Sequence, residues 1–497
     1  MAFVNRVHQL LVAALFVAID ALHVAPSRSP LRARDAATRS LLMSLDAEPP
    51  RAANAGRRPL VPSFDAEPPR AAGAGRRPLL KSLAAASASS LAAPAAAALG
   101  PESEYPLWLA LPVAPYSRRK TIRRDLGRGV WTFDQMIGIY YVHVPIRMTV
   151  VKLRRGGLFV YAPVAATDEC LALLRELTDA HGPVRHIVLP SVAVEHKVLA
   201  GPFARKFPAA TFHVCDQQYS FPVPLPNAFL GLPPWTEPLP RSSEDGNPFG
   251  DDFDFDVLTV KPGPGSYYQD ATFVHKPSKT VLLCDALFAT TEAPPPILES
   301  DPEYVRALLF HARDGPLERV ADTPENRRKG WRRIVLLFNF FFPGAATPDL
   351  GLKPLLALGP FEPYGWRGWK PFEWKSEAKE RRAFEAFSQN GKPTILPIIQ
   401  IILARGDSGA ATAAWVSRVS TWSFDRVVPQ HLDAPVNVGP AGFKETFANV
   451  GNTRFCDEDV AFLKAAEEGP LKFSVYPSKL TPLRGRGKCD LNEGLFT

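Results

Sequence analysis

Glu195 and His196 set a carboxylate beside an imidazole at the end of the stretch Val188-Leu-Pro-Ser-Val-Ala-Val-Glu-His196. Oxygen and imidazole nitrogen donors together suit borderline-to-hard divalent cations, and a cation so held activates water for hydrolysis. Alone the pair is weak evidence, because a lone histidine is more often a hydrogen-bonded structural residue than a ligand. His143, His186, His213, His275 and His311 have no ligand-like partner in the sequence and read as structural. The five cysteines, at 170, 215, 284, 456 and 489, show no CxxC spacing, which argues against a thiolate metal site. Cys170 and Cys284 read as small buried hydrophobes, and Cys456 and Cys489 as a pair that the tail could bridge.

The elements that must position Glu195 and His196 begin at Leu126. Val130–Phe133, Ile139–His143, Met148–Leu153 and Gly157–Ala162 read as short strands, with Arg154-Arg-Gly-Gly157 as a hairpin turn. Residues 166–180 put Leu171, Leu173, Leu174 and Leu177 on one helical face. His186–Leu189 then predicts a buried strand running into a Ser191–His196 loop, followed by a helix over 197–206 and a strand at Phe212–Val214.

This order of elements resembles the first half of a metallo-β-lactamase fold. More narrowly, Arg147-Met-Thr-Val-Val-Lys-Leu, Gly156-Gly-Leu-Phe-Val-Tyr-Ala-Pro-Val and Phe207-Pro-Ala-Ala resemble the domain-of-unknown-function family 4336, grouped with that fold. The resemblance covers about residues 126–450. It implies an α/β fold, a four-layer αβ/βα sandwich with its site at the sheet edges, and it says little about substrate.

The superfamily's T-H-x-H-x-D-H motif, laid on Pro190–His196, puts Ser191 and Ala193 at the first metal's two histidines and Glu195 and His196 at the second metal's pair. The first metal's third histidine falls on Pro264 of Pro262-Gly-Pro-Gly265, so that site is lost on this alignment. The second site is filled: Val281-Leu-Leu-Cys-Asp285 matches the strand-end Asp, and Phe424-Asp-Arg-Val-Val-Pro-Gln-His431 the strand leading to the last histidine. The resemblance therefore implies one divalent metal, Zn, Fe or Mn, on Glu195, His196, Asp285 and His431, with a metal-activated water as the reactive group and no further catalytic residue assigned. Against this stands the plainer reading of Asp285 as a strand-end cap.

Between Asp285 and His431 the chain is longer than the βα connections require, so an insertion is expected at about 300–400. Its apolar parts, Trp331–Pro343 and Ile395–Ala404, are too short to span a membrane. The favoured reading is a core helix plus a strand, with the tryptophans packing the insertion down. The other is peripheral contact with a plastid membrane through Trp331, Trp366, Trp369 and Trp374, the last three interleaved with basic residues in Tyr364–Lys375. Residues 456–497 form a tail with one helical pattern, Asp457 to Glu468.

The first hundred residues read as a disordered targeting leader. Residues 1–25 have signal-peptide geometry, an apolar core at 10–19 behind Arg6, and 26–100 have the Ala, Arg, Ser and Pro composition of a transit peptide, with a 19-residue duplication (46–64 and 65–83). Such a two-part leader resembles those of proteins sent to plastids of secondary origin. Arg76-Arg77 before the Ala-rich stretch 83–99 suggests a thylakoid-lumen signal, and a low-complexity spacer is preferred. Twelve basic against six acidic residues in 1–100 account for +6 of the +8 net charge, so the high pI belongs to the leader and nucleic acid is a poor partner. Arg118-Arg-Lys120 and Arg327-Arg-Lys329 read as solvated loop charge.

Two functions follow. The first is a plastid metallo-hydrolase-like enzyme with one metal and a small-molecule substrate. The second is a catalytically inactive protein of the same fold acting as a binding or membrane-peripheral scaffold.

Overall fold

A computed structural model of the chain describes residues 119–468, apart from 140, 219–225, 264–265, 316–317, 340–341, 349–371, 405–406, 449 and 451–454. The leader, Pro264, Trp366, Trp369, Cys489 and the tail beyond 468 lie outside the described residues.

The first sheet is mixed. Its strands β1 (Ile122–Asp125), β2 (Val130–Ile139), β3 (Val142–Lys152), β4 (Leu158–Tyr161), β5 (Val184–Leu189), β6 (Thr211–Val214) and β7 (Thr236–Pro238) neighbour one another in that order. β1 to β4 pair antiparallel and β4 to β7 parallel. Parallel neighbours need crossovers, and helices α1 (Asp168–His181) and α2 (Val194–Ala204) supply two of them. Thr167 caps α1 by accepting from the Cys170 N–H at 3.1 Å.

The second sheet is built from β8 (Phe253–Gly263), β9 (Ser266–His275) and β10 (Thr280–Leu283). Before its last strand come α3 (Pro296–Glu299), α4 (Pro302–Ala312), α5 (Pro324–Asn339), the ribbon β11 (Ala346–Pro348) with β12 (Phe372–Trp374), α6 (Glu377–Ser388), α7 (Pro397–Ala404) and α8 (Ser408–Val419). Then β13 (Arg426–Pro429) joins parallel to β10, and α9 (Pro440–Ala448) and α10 (Asp457–Glu468) follow.

Alternation along the strands explains the layering. Phe159, Tyr161 and Val188 point into a core shared with Phe273, Leu282 and Val428 of the second sheet. Their neighbours Leu158, Val160, Ile187 and Leu189 face Leu174 and Leu177 of α1 and Leu199 and Phe203 of α2. On the far side Val274, Val281, Leu283 and Val427 pack under Trp331, Phe384, Leu403 and Trp415 of the second helical layer. This is the expected four-layer αβ/βα sandwich. Gly330 lets α5 cross α4 closely, since a Cβ there would lie 1.9 Å from the Leu308 carbonyl oxygen.

Several local expectations change. Ile139–His143 does not run as one strand: Ile139 ends β2 opposite Val142, where β3 begins, and Tyr141 takes φ 59°. The helix expected at 197–206 begins at Val194, so Glu195 and His196 lie in its first turn and not in a loop. Both apolar parts of the 300–400 region are helical, in α5 and α7, where a helix plus a strand was expected. Trp331 is 0% exposed and its indole N–H donates to the Thr291 carbonyl at 3.0 Å, so it has no surface to offer a membrane. Trp374 is half-buried, with the Arg333 guanidinium 4.9 Å from its ring centre. Arg119 is buried, not solvated, and Arg327-Arg-Lys329 lies on α5 in ion pairs with Asp322, Glu325 and Asp314. Among the described residues no helix is long and apolar enough to cross a membrane.

Candidate metal centre

Pro190 and Ser191 carry the chain out of β5 and turn it into α2. The Ser191 hydroxyl accepts from the Ala193 N–H at 3.1 Å and donates to Asp285 Oδ2 at 3.1 Å. In the first turn of the helix, His196 is fully buried and Glu195 half-buried. Asp285 follows β10 and His431 follows β13, the two parallel strands whose adjacent ends thus present a carboxylate and an imidazole side by side.

These four side chains converge. One donor atom from each of Glu195, His196, Asp285 and His431 lies within 4.8 Å of all the others. His196 Nε2 and His431 Nε2 are 3.2 Å apart, and Asp285 Oδ1 is 3.7 Å from the first and 3.6 Å from the second. Bonds of about 2.05 Å in a tetrahedron separate neighbouring donors by about 3.4 Å, so these spacings fit one ion between the donors. His431 Nδ1–H donates to the Pro145 carbonyl at 2.9 Å, which leaves its Nε2 lone pair facing the centre. His196 Nδ1 is buried and has no hydrogen-bond partner among the described residues.

The electrostatics follow from burial and proximity. Burial works to lower the pKa of His196, but the Asp285 carboxylate more than offsets it and holds the imidazole above its ordinary value. Burial works to raise Asp285, and His196, His431 and Ser191 overrule it, bringing the carboxyl down to about 2. His431 is lowered to about 4 by burial and then by the His196 charge. Burial, then Asp285, raises Glu195. Two carboxyls and two imidazoles gathered with little access to water form a donor set that suits a divalent cation.

Two anchors around the donors carried no site role in the sequence reading, though Arg147 opens one of the motifs of the family resemblance. Asp270 on β9 is 0% exposed and accepts from the backbone N–H groups of Cys284 (3.0 Å), Asp285 (2.7 Å) and Ala286 (2.8 Å). Arg147 on β3 is bound to Asp134 at 2.6 Å and donates to the carbonyls of Pro429 (2.7 Å) and Leu432 (2.8 Å), on either side of His431. Gln430 adds a link, its side chain donating to the Val428 carbonyl at 2.9 Å and accepting from Thr149 at 3.2 Å. Phe288 and Phe338 flank the His431 ring, with centroids 6.2 and 5.8 Å away. Ser191 sits at the site as a partner of Asp285, and Pro264 lies outside the described residues.

The other histidines go elsewhere. His186 Nδ1 and His213 Nε2 are 3.3 Å apart, His275 Nδ1 meets Ser278 at 2.7 Å, and His143 packs against the rings of Tyr141 and Tyr304.

Residues 128–449 match the model of the family described as domain of unknown function (DUF4336). No curated protein is matched. Among solved structures the chain is similar to a fragment of putative diflavin flavoprotein A 5 from Nostoc sp. PCC 7120, with 9% identity over 70% of this chain and 98% of that one and a TM-score of 0.34. It is similar also to the Flv1 flavodiiron core from Synechocystis sp. PCC6803, with 10% identity, 67% and 60% covered and a TM-score of 0.32. A third is the metallo-β-lactamase FIM-1 from Pseudomonas aeruginosa in its mono-zinc form, with 13% identity, 33% and 67% covered and a TM-score of 0.26. Likenesses this distant carry nothing about substrate.

Proposed function

The chain belongs to the family described as domain of unknown function (DUF4336), and from the geometry of its site we propose a hydrolase that works with one divalent cation, zinc, iron or manganese, on a small-molecule substrate. The observation that carries this reading is the pair of facing Nε2 atoms of His196 and His431, 3.2 Å apart, with the same Asp285 oxygen close to both. A divalent cation there would lower the pKa of a bound water towards neutrality and polarise a scissile carbonyl or phosphoryl.

The chain's own residues prepare for this. Pro145 fixes the His431 tautomer, and Ser191 occupies Asp285 Oδ2 so that Oδ1 alone turns to the imidazoles. Glu195, half-buried in the first turn of α2, is the fourth donor. Phe288 and Phe338 line the His431 ring with apolar surface. Ser191 and Ala193 offer no imidazole to a second ion, so a reduced or altered activity follows rather than a two-metal reaction. The scaffold reading has less behind it, because Trp331 is buried.

The reading includes a plastid location, which the two-part composition of the leader supports. A fluorescent fusion of residues 1–125 should enter plastids, and cytosolic fluorescence would count against it. For the chemistry, the metal-loaded full chain is assayed on p-nitrophenyl acetate and bis(p-nitrophenyl) phosphate beside His431→Ala. Hydrolysis that a chelator and the substitution both abolish is expected. Rates equal in parent and variant would sink the proposal.

A further inference from the structure

Resting on that metal-site reading, we propose that Asp270, which bonds none of the four donor atoms, is a positioning residue that aims Asp285 and puts negative charge behind it for the cation. β9 and β10 pair antiparallel with Phe273 opposite Leu282 as the last matched residues, a register that would set Asp270 opposite Asp285 if it continued. Where the ladder stops, the Asp270 carboxylate takes over. Oδ1 accepts from Cys284 N–H and Oδ2 from Asp285 and Ala286 N–H, which fixes the backbone from which the Asp285 side chain projects.

The same residue ties in a second wall of the site. Its backbone bridges to Ser191, and the next residue, Ala271, donates to the Pro190 carbonyl at 2.8 Å. Ser191 in turn donates to Asp285 Oδ2. Asp285 is therefore held through its peptide and through one carboxylate oxygen by groups that both lead back to Asp270. The remaining oxygen, Oδ1, is the one near the two imidazoles.

Three backbone N–H bonds favour the carboxylate form of Asp270, yet burial without a cationic partner still leaves that charge costly. Asp270 makes no ion pair with a described Lys, Arg or His. With Glu195 and Asp285 it makes three carboxyl groups around two imidazoles, a set whose full ionisation a divalent ion would favour. Asp301, by contrast, caps α4 through the Glu303 N–H at 2.9 Å, away from the site, and serves as the control for a cap with no such role.

The experiment measures Zn²⁺ binding to the full chain by competition with a chromophoric chelator, and the visible spectrum of its Co²⁺ form, for the parent, Asp270→Asn and Asp301→Asn. Asp270→Asn is expected to weaken Zn²⁺ binding about tenfold to a hundredfold and to shift the Co²⁺ bands, while Asp301→Asn leaves both unchanged. Zn²⁺ affinity equal to the parent's in Asp270→Asn overturns the inference alone. No Zn²⁺ binding by the parent overturns the metal-site reading and the inference with it. Should Asp270→Asn fail to fold, hydrogen exchange on the parent decides: the amides of Cys284, Asp285 and Ala286 are expected to be protected before metal is added. Protection that arises only with metal means that the ion, not Asp270, orders the segment, and overturns the inference.

Discussion

His196 Nε2 faces His431 Nε2 across 3.2 Å, although 235 positions separate the two residues in sequence. One rides on the first turn of α2 and the other leaves the end of β13, so the contact joins the two sheets at one edge of the sandwich. Because His431 Nδ1–H is committed to the Pro145 carbonyl, its Nε2 accepts and His196 Nε2–H donates.

A metal must displace that proton. The pKa of His196 is held above its ordinary 6.5, so metal affinity is full above the raised value and falls as pH drops through it, by about tenfold per pH unit for one proton. Zn²⁺ calorimetry at about pH 5.5, a unit below the ordinary value and further below the raised one, in buffers of different ionisation heat should show release of at least about one proton per ion. Binding with no proton release contradicts the assignment.

Arg147 holds both carbonyls that bracket His431 and pairs with buried Asp134. Replacing it by Met should cost about 3 kcal/mol, the low end for a broken buried pair, because Arg124 still reaches Asp134 at 3.1 Å. Urea unfolding of the metal-free chain measures it, and a loss below about 1 kcal/mol would mean that the bracket is dispensable.

Trp331 fills the second helical layer at 0% exposure. Trp331→Ala should therefore destabilise by about 3–5 kcal/mol, read from the urea midpoint. A surface residue would show almost no change, and that result would restore the membrane-contact reading for this position.

Burial lowers His143 to about 3 in the native state, against about 6.5 unfolded. Its contribution is fully present above pH 6.5 and is lost as pH falls through 6.5 towards 3, because only the unfolded chain takes up the proton. Between pH 7.5 and 5.5 the parent should lose about 1.4 kcal/mol more stability than His143→Gln. Parallel pH profiles would show that the ring titrates normally in place.

The four donors could be picked out because the resemblance to the superfamily motif put Glu195 and His196 at matched positions, and Asp285 and His431 each lie just past an apolar run that reads as a strand. Their supports could not. Asp270 and Arg147 act on backbone groups 14 to 285 positions away, and a bond to a peptide group leaves no mark in the partner's side chain. The start of α2 was misplaced for a local reason: Ala193 makes no side-chain cap, and Pro202 sits inside the helix. Ile395–Ala404, rich in β-branched residues, reads as a strand by propensity, yet it folds as α7 because its apolar side chains pack in the helical layer.

The central claim is tested most directly by the metal content of the full chain, measured after dialysis against equimolar Zn²⁺, Fe²⁺ and Mn²⁺ followed by metal-free buffer, beside His196→Ala and Asp285→Asn. The convergence of Glu195, His196, Asp285 and His431 predicts about one ion per chain in the parent and almost none in either variant. Equal and negligible metal in all three would contradict it.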